Sequence, residues 1–323
     1  MTGSFVISLD FELMWGVRDH RSIQHYGDAV LGGREAIPQM LSRFQHAGIR
    51  ATWATVGLLF AKTREEMLAF APACRPAYTN GALSPYPDIE NGKIGENEAE
   101  DPYHFGASLI AQIAETPGQE IATHTYSHYY CLEPSADAAA FDADLSSAIE
   151  IAKHAGHDIR SIIFPRNQMS EAHIAQSAKH GVDIYRGSAE GWLYRPRSGG
   201  DTTKLFRLVR FADGALPIGP KQVVNPQRCG AALNLPASRF LRPWSRKLRA
   251  YHKLHIRRIE TEMELAARSG QSYHLWWHPH NFGRNTAENL SQLDRVIACF
   301  KRCRDDFGMV SRSMHDLAPE NPA

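Results

Sequence analysis

The chain has 323 residues, 43% of them hydrophobic, which is enough for a full-sized core in one large domain or two small ones. Its 36 basic and 35 acidic residues nearly cancel, so no global field favours a nucleic acid partner. No stretch has the length and apolarity of a membrane-spanning helix. Five scattered cysteines without Cys-x-x-Cys spacing argue against a disulfide framework and against a zinc ribbon.

The first predicted element is a short buried strand from Phe5 to Leu9, rich in apolar and β-branched residues. The amino-terminal stretch from Met1 to Asp10 has no basic region and only this short apolar run, so it is typical of a first strand and not of a signal peptide. We therefore expect a cytoplasmic protein whose cysteines are reduced thiols.

The next elements alternate between helix and strand. Apolar residues at helical spacing predict a helix over 34–47, with Gly48 as its stop signal. A strand over 49–55 and a helix over about 64–70 follow. Residues 71–104 are rich in Pro, Gly, Asn and acidic residues and lack periodicity, so they are predicted to form a long loop or insertion.

The alternation resumes after this insertion and predicts parallel strands with helices outside them. Helices are expected at about 106–115, 138–154 and 170–180, and strands near Ile121 and at 161–164 and 182–185. Residues 199–236 carry only turn signals and weak strands. The chain then predicts a long basic helix over about 243–269, a strand at 273–277, a helix at 286–306 and a strand at 309–311.

Polar side chains follow five of the predicted strands. They are Asp10 and Glu12, then His124 and His128, then Arg166 and Asn167, then Trp192, and finally His278 and His280. If the strands form a barrel, residues just past their carboxyl ends gather at one face, where barrel active sites lie. Two imidazoles four residues apart can share one divalent metal through neutral ring nitrogens. The pattern therefore favours a metal-dependent hydrolase.

At these residues the sequence resembles the NodB-homology polysaccharide deacetylases, a carbohydrate esterase superfamily. The family's Thr-Phe-Asp-Asp-Gly motif matches Ser8-Leu-Asp-Phe-Glu12, and its two-histidine motif matches His124-Thr-Tyr-Ser-His128. Its Arg/Pro motif is similar to Phe164-Pro-Arg-Asn-Gln168, and its Leu-x-x-His motif matches Leu275-Trp-Trp-His278. The resemblance spans about Phe5 to His278. It implies one domain over 1–323, with an α/β fold, a distorted (β/α) barrel of about seven parallel strands, an insertion near 71–104 and a divergent segment near 199–269.

The resemblance also implies roles for individual residues. Asp10 would be the general base and His278 the general acid that protonates the leaving amine. Glu12, His124 and His128 would hold a divalent metal, with zinc expected; the family usually places an aspartate ligand where this chain has Phe11, so Glu12 takes its place. Arg166 would pair with Asp10 and keep it ionised. Substrate contact is assigned to Asn167, Trp192 and His280, with burial in the core as the alternative for Trp192.

We expect a metal-dependent hydrolase that removes an N-acetyl group from an amino sugar, acting on a cytoplasmic precursor of a surface glycan. One alternative is another carbon–nitrogen hydrolase on the same scaffold, such as an allantoinase-like or cyclic-imide amidohydrolase. The other is a non-catalytic sugar-binding protein in which Phe11 marks a lost metal site. A homo-oligomer is left open.

The basic residues between Arg239 and Arg258 have two interpretations. The preferred one is the solvated face of a helix. The alternative is a contact for phosphate groups or for an anionic membrane surface, which would imply a peripheral membrane contact and suit a nucleotide-linked or lipid-diphosphate-linked sugar.

Overall fold

The structure is a computed structural model that describes residues 2–189, 191–194 and 204–318. Its strands are β1 (Ser4–Phe11), β2 (Ala51–Thr55), β3 (Gln119–Thr123), β4 (Ser161–Ile162), β5 (Ile184–Gly187), β6 (Gln227–Cys229), β7 (Ala232–Pro236), β8 (Arg239–Phe240), β9 (Ser272–Trp277) and β10 (Val310–Arg312). Its α-helices are α1 (Ile23–Ala47), α2 (Arg64–Ala69), α3 (Tyr86–Glu90), α4 (Ala107–Glu115), α5 (Ala138–His154), α6 (Glu171–Lys179), α7 (Lys204–Asp213), α8 (Arg249–Ser269) and α9 (Thr286–Phe307).

The strands form one curled sheet in the order β6-β7-β5-β4-β3-β2-β1-β9-β8, in which every pair except β6–β7 is parallel. The segment 232–240 bridges the two sides of this sheet, because β7 pairs with β5 and β8 pairs with β9. Counting that segment once, and leaving out the antiparallel β6 and β10, which pairs with β1 outside this order, gives seven strand positions around the curl. The predicted α/β fold, a distorted (β/α) barrel of about seven parallel strands, is confirmed.

Alternation along β1 separates the barrel interior, which becomes polar toward the carboxyl end, from the apolar outer face that packs against the helices. Phe5, Ile7, Leu9 and Phe11 belong to the large core cluster that packs the sheet against the helices. Val6 belongs to a second, small cluster that takes residues from several strands and fills the barrel interior. Because successive side chains face opposite ways, Ser8 and Asp10 share the interior face with Val6, and Asp10 stands at the carboxyl end.

Helix α1 begins at Ile23, well before the predicted start near residue 34. The prediction missed its first turns because glycines interrupt the apolar periodicity there. They serve close packing against the loop that follows β9: a Cβ on Gly33 would lie 2.6 Å from Cα of His280, and one on Gly32 would lie 2.2 Å from the carbonyl oxygen of Gly283. Helix α1 ends as predicted at Gly48, which has a left-handed φ of 65°. The helix therefore fixes the position of His280.

Three further differences separate the structure from the predicted elements. The segment 71–104 contains α3 and buries apolar side chains such as Tyr86 and Ile89, so it packs on the domain instead of projecting from it. Residues 204–213, predicted as turns and weak strand, form α7. This helix is strongly amphipathic, but the turn residues on either side of it obscure the pattern in the sequence. The basic helix begins at Arg249 and not near 243. No helix among the described residues is long and apolar enough to cross a membrane.

Candidate active site

Glu12, His124 and His128 meet at the carboxyl end of the barrel, where all three side chains are buried. Oε2 of Glu12 lies 3.3 Å from Nε2 of His124 and 3.0 Å from Nε2 of His128. Ligand atoms bound to zinc at about 2.0–2.2 Å in a tetrahedral or octahedral shell stand roughly 3.0–3.5 Å apart. The carboxylate oxygen therefore stands at this spacing from each ring nitrogen, and all three ligand atoms lie within 4.8 Å of one another.

The protonation of His124 shows that a cation fits between these groups. Nδ1 of His124 lies 2.7 Å from the carbonyl oxygen of Ile163, which can only accept, so the proton is on Nδ1. The Nε2 atom of the neutral ring then presents a lone pair to the Glu12 carboxylate, and this buried nitrogen has no hydrogen-bond partner among the described residues. A divalent cation would satisfy both lone pairs, and the Ile163 contact is the kind that orients a metal-binding histidine.

The electrostatics keep the donor set in its ligating form. Burial raises the pKa of Glu12, but the His278 charge and the hydrogen bond with His128 outweigh it and hold that pKa well below its ordinary value. Burial lowers the pKa of His128, against the opposing charge of Glu12. At neutral pH the site thus combines a carboxylate with a neutral imidazole, which are the protonation states that metal ligands need.

The loop that holds the two histidines is strained and is anchored from below. Thr125 and His128 have positive φ angles of 63° and 60°, which L-residues rarely adopt. The buried Asp144 carboxylate accepts hydrogen bonds from the Tyr126 amide (2.7 Å), the Ser127 amide (3.1 Å) and the Ser127 hydroxyl. Strained backbone of this kind persists only where the surroundings over-determine it, and it concentrates at functional sites.

Asp10 is held by Arg186, which the sequence prediction missed. Nη1 and Nη2 of Arg186 donate to the two carboxylate oxygens of Asp10 at 2.6 and 2.9 Å, in a bidentate pair that is buried. Burial raises the pKa of Asp10, but the charges of Arg186 and His278 outweigh it and bring that pKa below its ordinary value. Asp10 is therefore ionised and fixed in orientation at neutral pH.

The prediction that Arg166 pairs with Asp10 is wrong. Nη2 of Arg166 donates to Oδ2 of Asp19 at 2.5 Å, and its guanidinium lies over the ring of Tyr130. The left-handed backbone at residues 166 and 167 explains why Arg166 does not reach Asp10. It turns the Asn167 side chain inward and directs Arg166 toward the loop after β1. Oδ1 of Asn167 accepts from Nη2 of Arg186 at 3.1 Å, so Asn167 contacts the partner of Asp10.

A buried network supports Arg186 from inside the barrel. Nη1 of Arg186 also donates to Oγ of Ser8 (3.2 Å), and the Ser8 hydroxyl donates to Nε2 of His274 (2.8 Å), whose pKa burial lowers to about 3. The indole of Trp276 lies under the guanidinium, 4.2 Å from its carbon. Strand alternation could have found these residues, since Arg186 follows the interior residue Ile184 by two positions.

His278 lies between the two carboxylates. Its Nε2 atom is 3.7 Å from Oδ2 of Asp10 and 3.6 Å from Oε1 of Glu12, and 24% of its side chain is exposed. It is therefore the histidine of this group that a substrate reaches. His280 is buried, with Nε2 3.9 Å from Oε1 of Glu12 and a pKa that burial lowers to about 4.

Trp192 is 60% exposed, so the alternative of a core position is wrong for it. Its ring packs against Phe206 in α7, with 5.7 Å between centroids. The tryptophan that adjoins the catalytic candidates is Trp276, whose ring centroid is 5.7 Å from that of His278. The sequence signal was its place between Leu275 and His278 in a strand whose even-numbered residues face inward.

Comparison with solved structures places this architecture among known folds. A protein from Mycobacterium smegmatis and one from Pseudomonas aeruginosa, both described as polysaccharide deacetylases, match with TM-scores of 0.60 and 0.57 at 15% and 10% identity. The alignments cover 100% and 97% of this chain and 94% and 89% of theirs. The chain has the polysaccharide deacetylase fold. The resemblance seen in the motifs is thus confirmed at the level of the fold.

The same fold also occurs in a different kind of enzyme. The α-amylase AmyC from Thermotoga maritima matches with a TM-score of 0.57 at 12% identity, over 99% of this chain and 76% of that one. No protein-family model and no curated protein sequence matches the chain. The reaction must therefore be argued from the site and not from the fold.

Proposed function

We propose that this protein is a metal-dependent hydrolase that removes an N-acetyl group from an amino sugar. The observation that carries the proposal is the buried Glu12/His124/His128 group, with its spacing of 3.0 and 3.3 Å, beside an Asp10 carboxylate fixed by Arg186. Histidine and carboxylate ligands suit zinc, and the same donor set accepts cobalt or nickel. When bound, such a cation supplies Lewis acidity for the acetyl carbonyl and lowers the pKa of water.

The residues of the chain supply the proton transfers. Asp10, ionised and oriented by Arg186, would accept the proton of the attacking water, acting as general base. His278 would donate a proton to the sugar nitrogen as the carbon–nitrogen bond breaks, because it is the exposed histidine of the group and lies beside both carboxylates. Their contact at 3.7 Å allows both groups to serve one small acetamide.

The pKa values of the two carboxyl groups argue against glycoside hydrolysis on this scaffold. A glycosidase of the common two-carboxylate type keeps one carboxyl group protonated near neutral pH, by raising its pKa. Here the pKa values of Asp10 and Glu12 both lie below their ordinary values. Both groups are ionised, which suits a base and a metal ligand.

The rival hydrolases of cyclic amides would use the same groups, and a sugar-binding protein would need none of them. Phe11 no longer favours the binding protein, because its side chain packs in the outer core against Trp53 while Glu12 takes up the ligand position. A cytoplasmic glycan precursor stays our prediction for the substrate.

Elemental analysis of purified protein tests the metal, with wild type compared to Glu12→Ala and His128→Ala, and with the exposed His46→Ala as control. We expect one metal per chain in wild type and His46→Ala, and loss in the two site variants. Acetate release from N-acetylglucosamine oligomers then tests the reaction, and Asp10→Asn should abolish it while retaining metal. Release of ammonia or ring opening of cyclic amides without acetate release would favour the rival hydrolases, and absence of metal after supplementation would refute the proposal.

A further inference from the structure

A cleft of about 350 Å³ opens beside the metal centre, between α1, the loop after β9 and the divergent segment. We call it the arginine cleft. The residues used below are Tyr26, Arg242, Trp244, His252, His280 and Arg284. His280 lines this cleft, and its Nε2 atom is 3.9 Å from Oε1 of Glu12, a member of the candidate metal site. A ligand in the cleft therefore adjoins the site at which the acetyl group would react.

Two arginines of the cleft are left without a carboxylate. Arg242 and Arg284 form no salt bridge with any described residue, and their guanidinium carbons lie 4.8 Å from the Phe211 ring centroid and 5.6 Å from that of Tyr26. Arg239, by contrast, has a carboxylate partner, because it is buried in an ion pair with Glu262. Two positive charges with no described carboxylate partner, in one concave surface, attract an anion.

The predicted basic helix is thus only partly a solvated face. Arg239 lies in β8 and is buried, and Arg242 lies in the loop that leads to α8 and lines the arginine cleft. Both precede the helix, which begins at Arg249. The alternative interpretation of this region, a contact for phosphate groups, therefore gains a specific location.

The cleft also has a fixed aromatic wall and unsatisfied polar atoms. The Trp244 amide donates to Oδ1 of Asn289 at 2.7 Å, which fixes its backbone, and its ring stacks on His252 with 6.4 Å between centroids. Nδ1 of His252 and Nδ1 of His280 are buried and have no hydrogen-bond partner among the described residues. Because both atoms are buried, they lie within the wall of the cleft and are not themselves exposed to a ligand.

We propose that the arginine cleft binds an anionic group, a phosphate or a carboxylate, that is covalently attached to the N-acetylated sugar. This inference rests on the proposed function for the position of the sugar and adds the class of substrate. Guanidinium groups match the oxygen geometry of both anions through bidentate hydrogen bonds. The sugar ring or its substituent packs on Trp244, and the acetamide extends past His280 to the metal centre.

Binding to three monosaccharide probes tests this inference without requiring turnover. The probes are N-acetylglucosamine 1-phosphate, N-acetylglucosaminuronic acid and the neutral methyl glycoside of N-acetylglucosamine, each titrated calorimetrically into metal-loaded protein. The variants are Arg242→Gln and Arg284→Gln. The matched control is Arg257→Gln, which removes the same charge from an exposed position of α8 outside the cleft.

We expect at least one anionic probe to bind about tenfold or more tightly than the neutral one. A single hydrogen bond to a charged group typically contributes more free energy than a tenfold change in affinity requires. The ratio of anionic to neutral affinity should fall about tenfold in Arg242→Gln and Arg284→Gln and stay constant in Arg257→Gln. Preference for the first probe identifies a phosphate, and preference for the second identifies a carboxylate.

Equal affinity for charged and neutral probes would overturn the inference. So would an affinity ratio that is unchanged in Arg242→Gln and Arg284→Gln, because the anion would then be held by the metal, or a fall of the same size in Arg257→Gln. Acetate release is measured separately on the same proteins. Charge-selective binding without acetate release would refute the proposed function and support the anion site. Acetate release without charge selectivity would support the proposed function and refute the anion site.

Discussion

Arg186 and Asp10 form a fully buried bidentate pair, with both nitrogen–oxygen distances below 3.0 Å, at the carboxyl end of the barrel. The pair couples two strands, β1 and β5, that are far apart in the order of the sheet. Asn167 and Ser8 take up further donor groups of the guanidinium, so its orientation is set from three sides. The direction of the Asp10 carboxylate is therefore a property of the whole barrel interior.

Replacing Arg186 with lysine should reduce kcat about 100-fold. Lysine keeps the charge but cannot form the fork, so Asp10 would lose its fixed position, and small displacements of a catalytic group have effects of about this size. Metal content should not change. Arg166→Lys is the matched control, because Arg166 contacts Asp19 at the rim, and its kcat should stay within about threefold of wild type. Equal losses in the two variants would contradict the assignment of Arg186.

The contrast between these two arginines shows what the sequence could and could not predict. The candidate metal ligands follow strands and share a recognisable spacing, so Glu12, His124 and His128 could be grouped from the sequence alone. Arg186 has no motif: it lies inside β5, and the predicted strand ended at residue 185, two positions before the end of β5. Its importance comes from a contact between residues 176 positions apart in the chain, which local patterns do not encode.

The arrangement of the helices and strands was predictable to a similar degree. Helix α5 was predicted over 138–154 and has these bounds, because an apolar stripe and the Asp137 cap agree with each other. The start of α1 was not predictable, since its glycines lower helix propensity and are explained only by the close approach of Gly33 to His280. Tertiary packing outweighed local preference there, near the active site.

The effect of replacing His278 should depend on the leaving group. His278→Gln should lower the rate of deacetylation of an N-acetyl sugar about 100-fold or more, because an amine must be protonated as it departs. Hydrolysis of p-nitrophenyl acetate should fall less than tenfold, since nitrophenolate leaves without a proton. Measuring kcat for both substrates in the same preparation checks this. A similar loss on both would show that His278 acts by another route, such as holding Glu12 or Asp10.

Gly16 leaves the space that the Glu12 carboxylate occupies. A Cβ at position 16 would lie 2.0 Å from a carboxylate oxygen of Glu12, far inside contact distance. Gly16→Ala should therefore displace the carboxylate and lower metal occupancy about tenfold or more at limiting metal. Gly81→Ala is the control, because a Cβ there meets nothing within 4 Å. Competition with a chelator measures the affinity, and equal affinity in both variants would mean that Glu12 is not a ligand.

Asp144 should make stability depend on pH in a way that asparagine removes. Burial raises the pKa of Asp144 to about 6, since the hydrogen bonds from Ser127 and Tyr126 offset the loss of hydration only in part. In the unfolded chain the pKa is about 3.9. The protonated carboxyl group is thus favoured by folding, and its contribution is complete below about pH 4 and is lost as pH rises through 6.

Asp144→Asn should consequently destabilise the metal-free protein more at pH 4 than at pH 7. The pKa of Asp144 differs by about two units between the folded and unfolded chain, which corresponds to about 3 kcal/mol of unfolding free energy between pH 4 and pH 7. Urea unfolding of wild type and variant at both pH values measures it, and subtracting the two proteins removes the titration of all other groups. If the destabilisation were instead larger at pH 7, the carboxylate would be the favoured form, with its hydrogen bonds to the histidine loop outweighing burial.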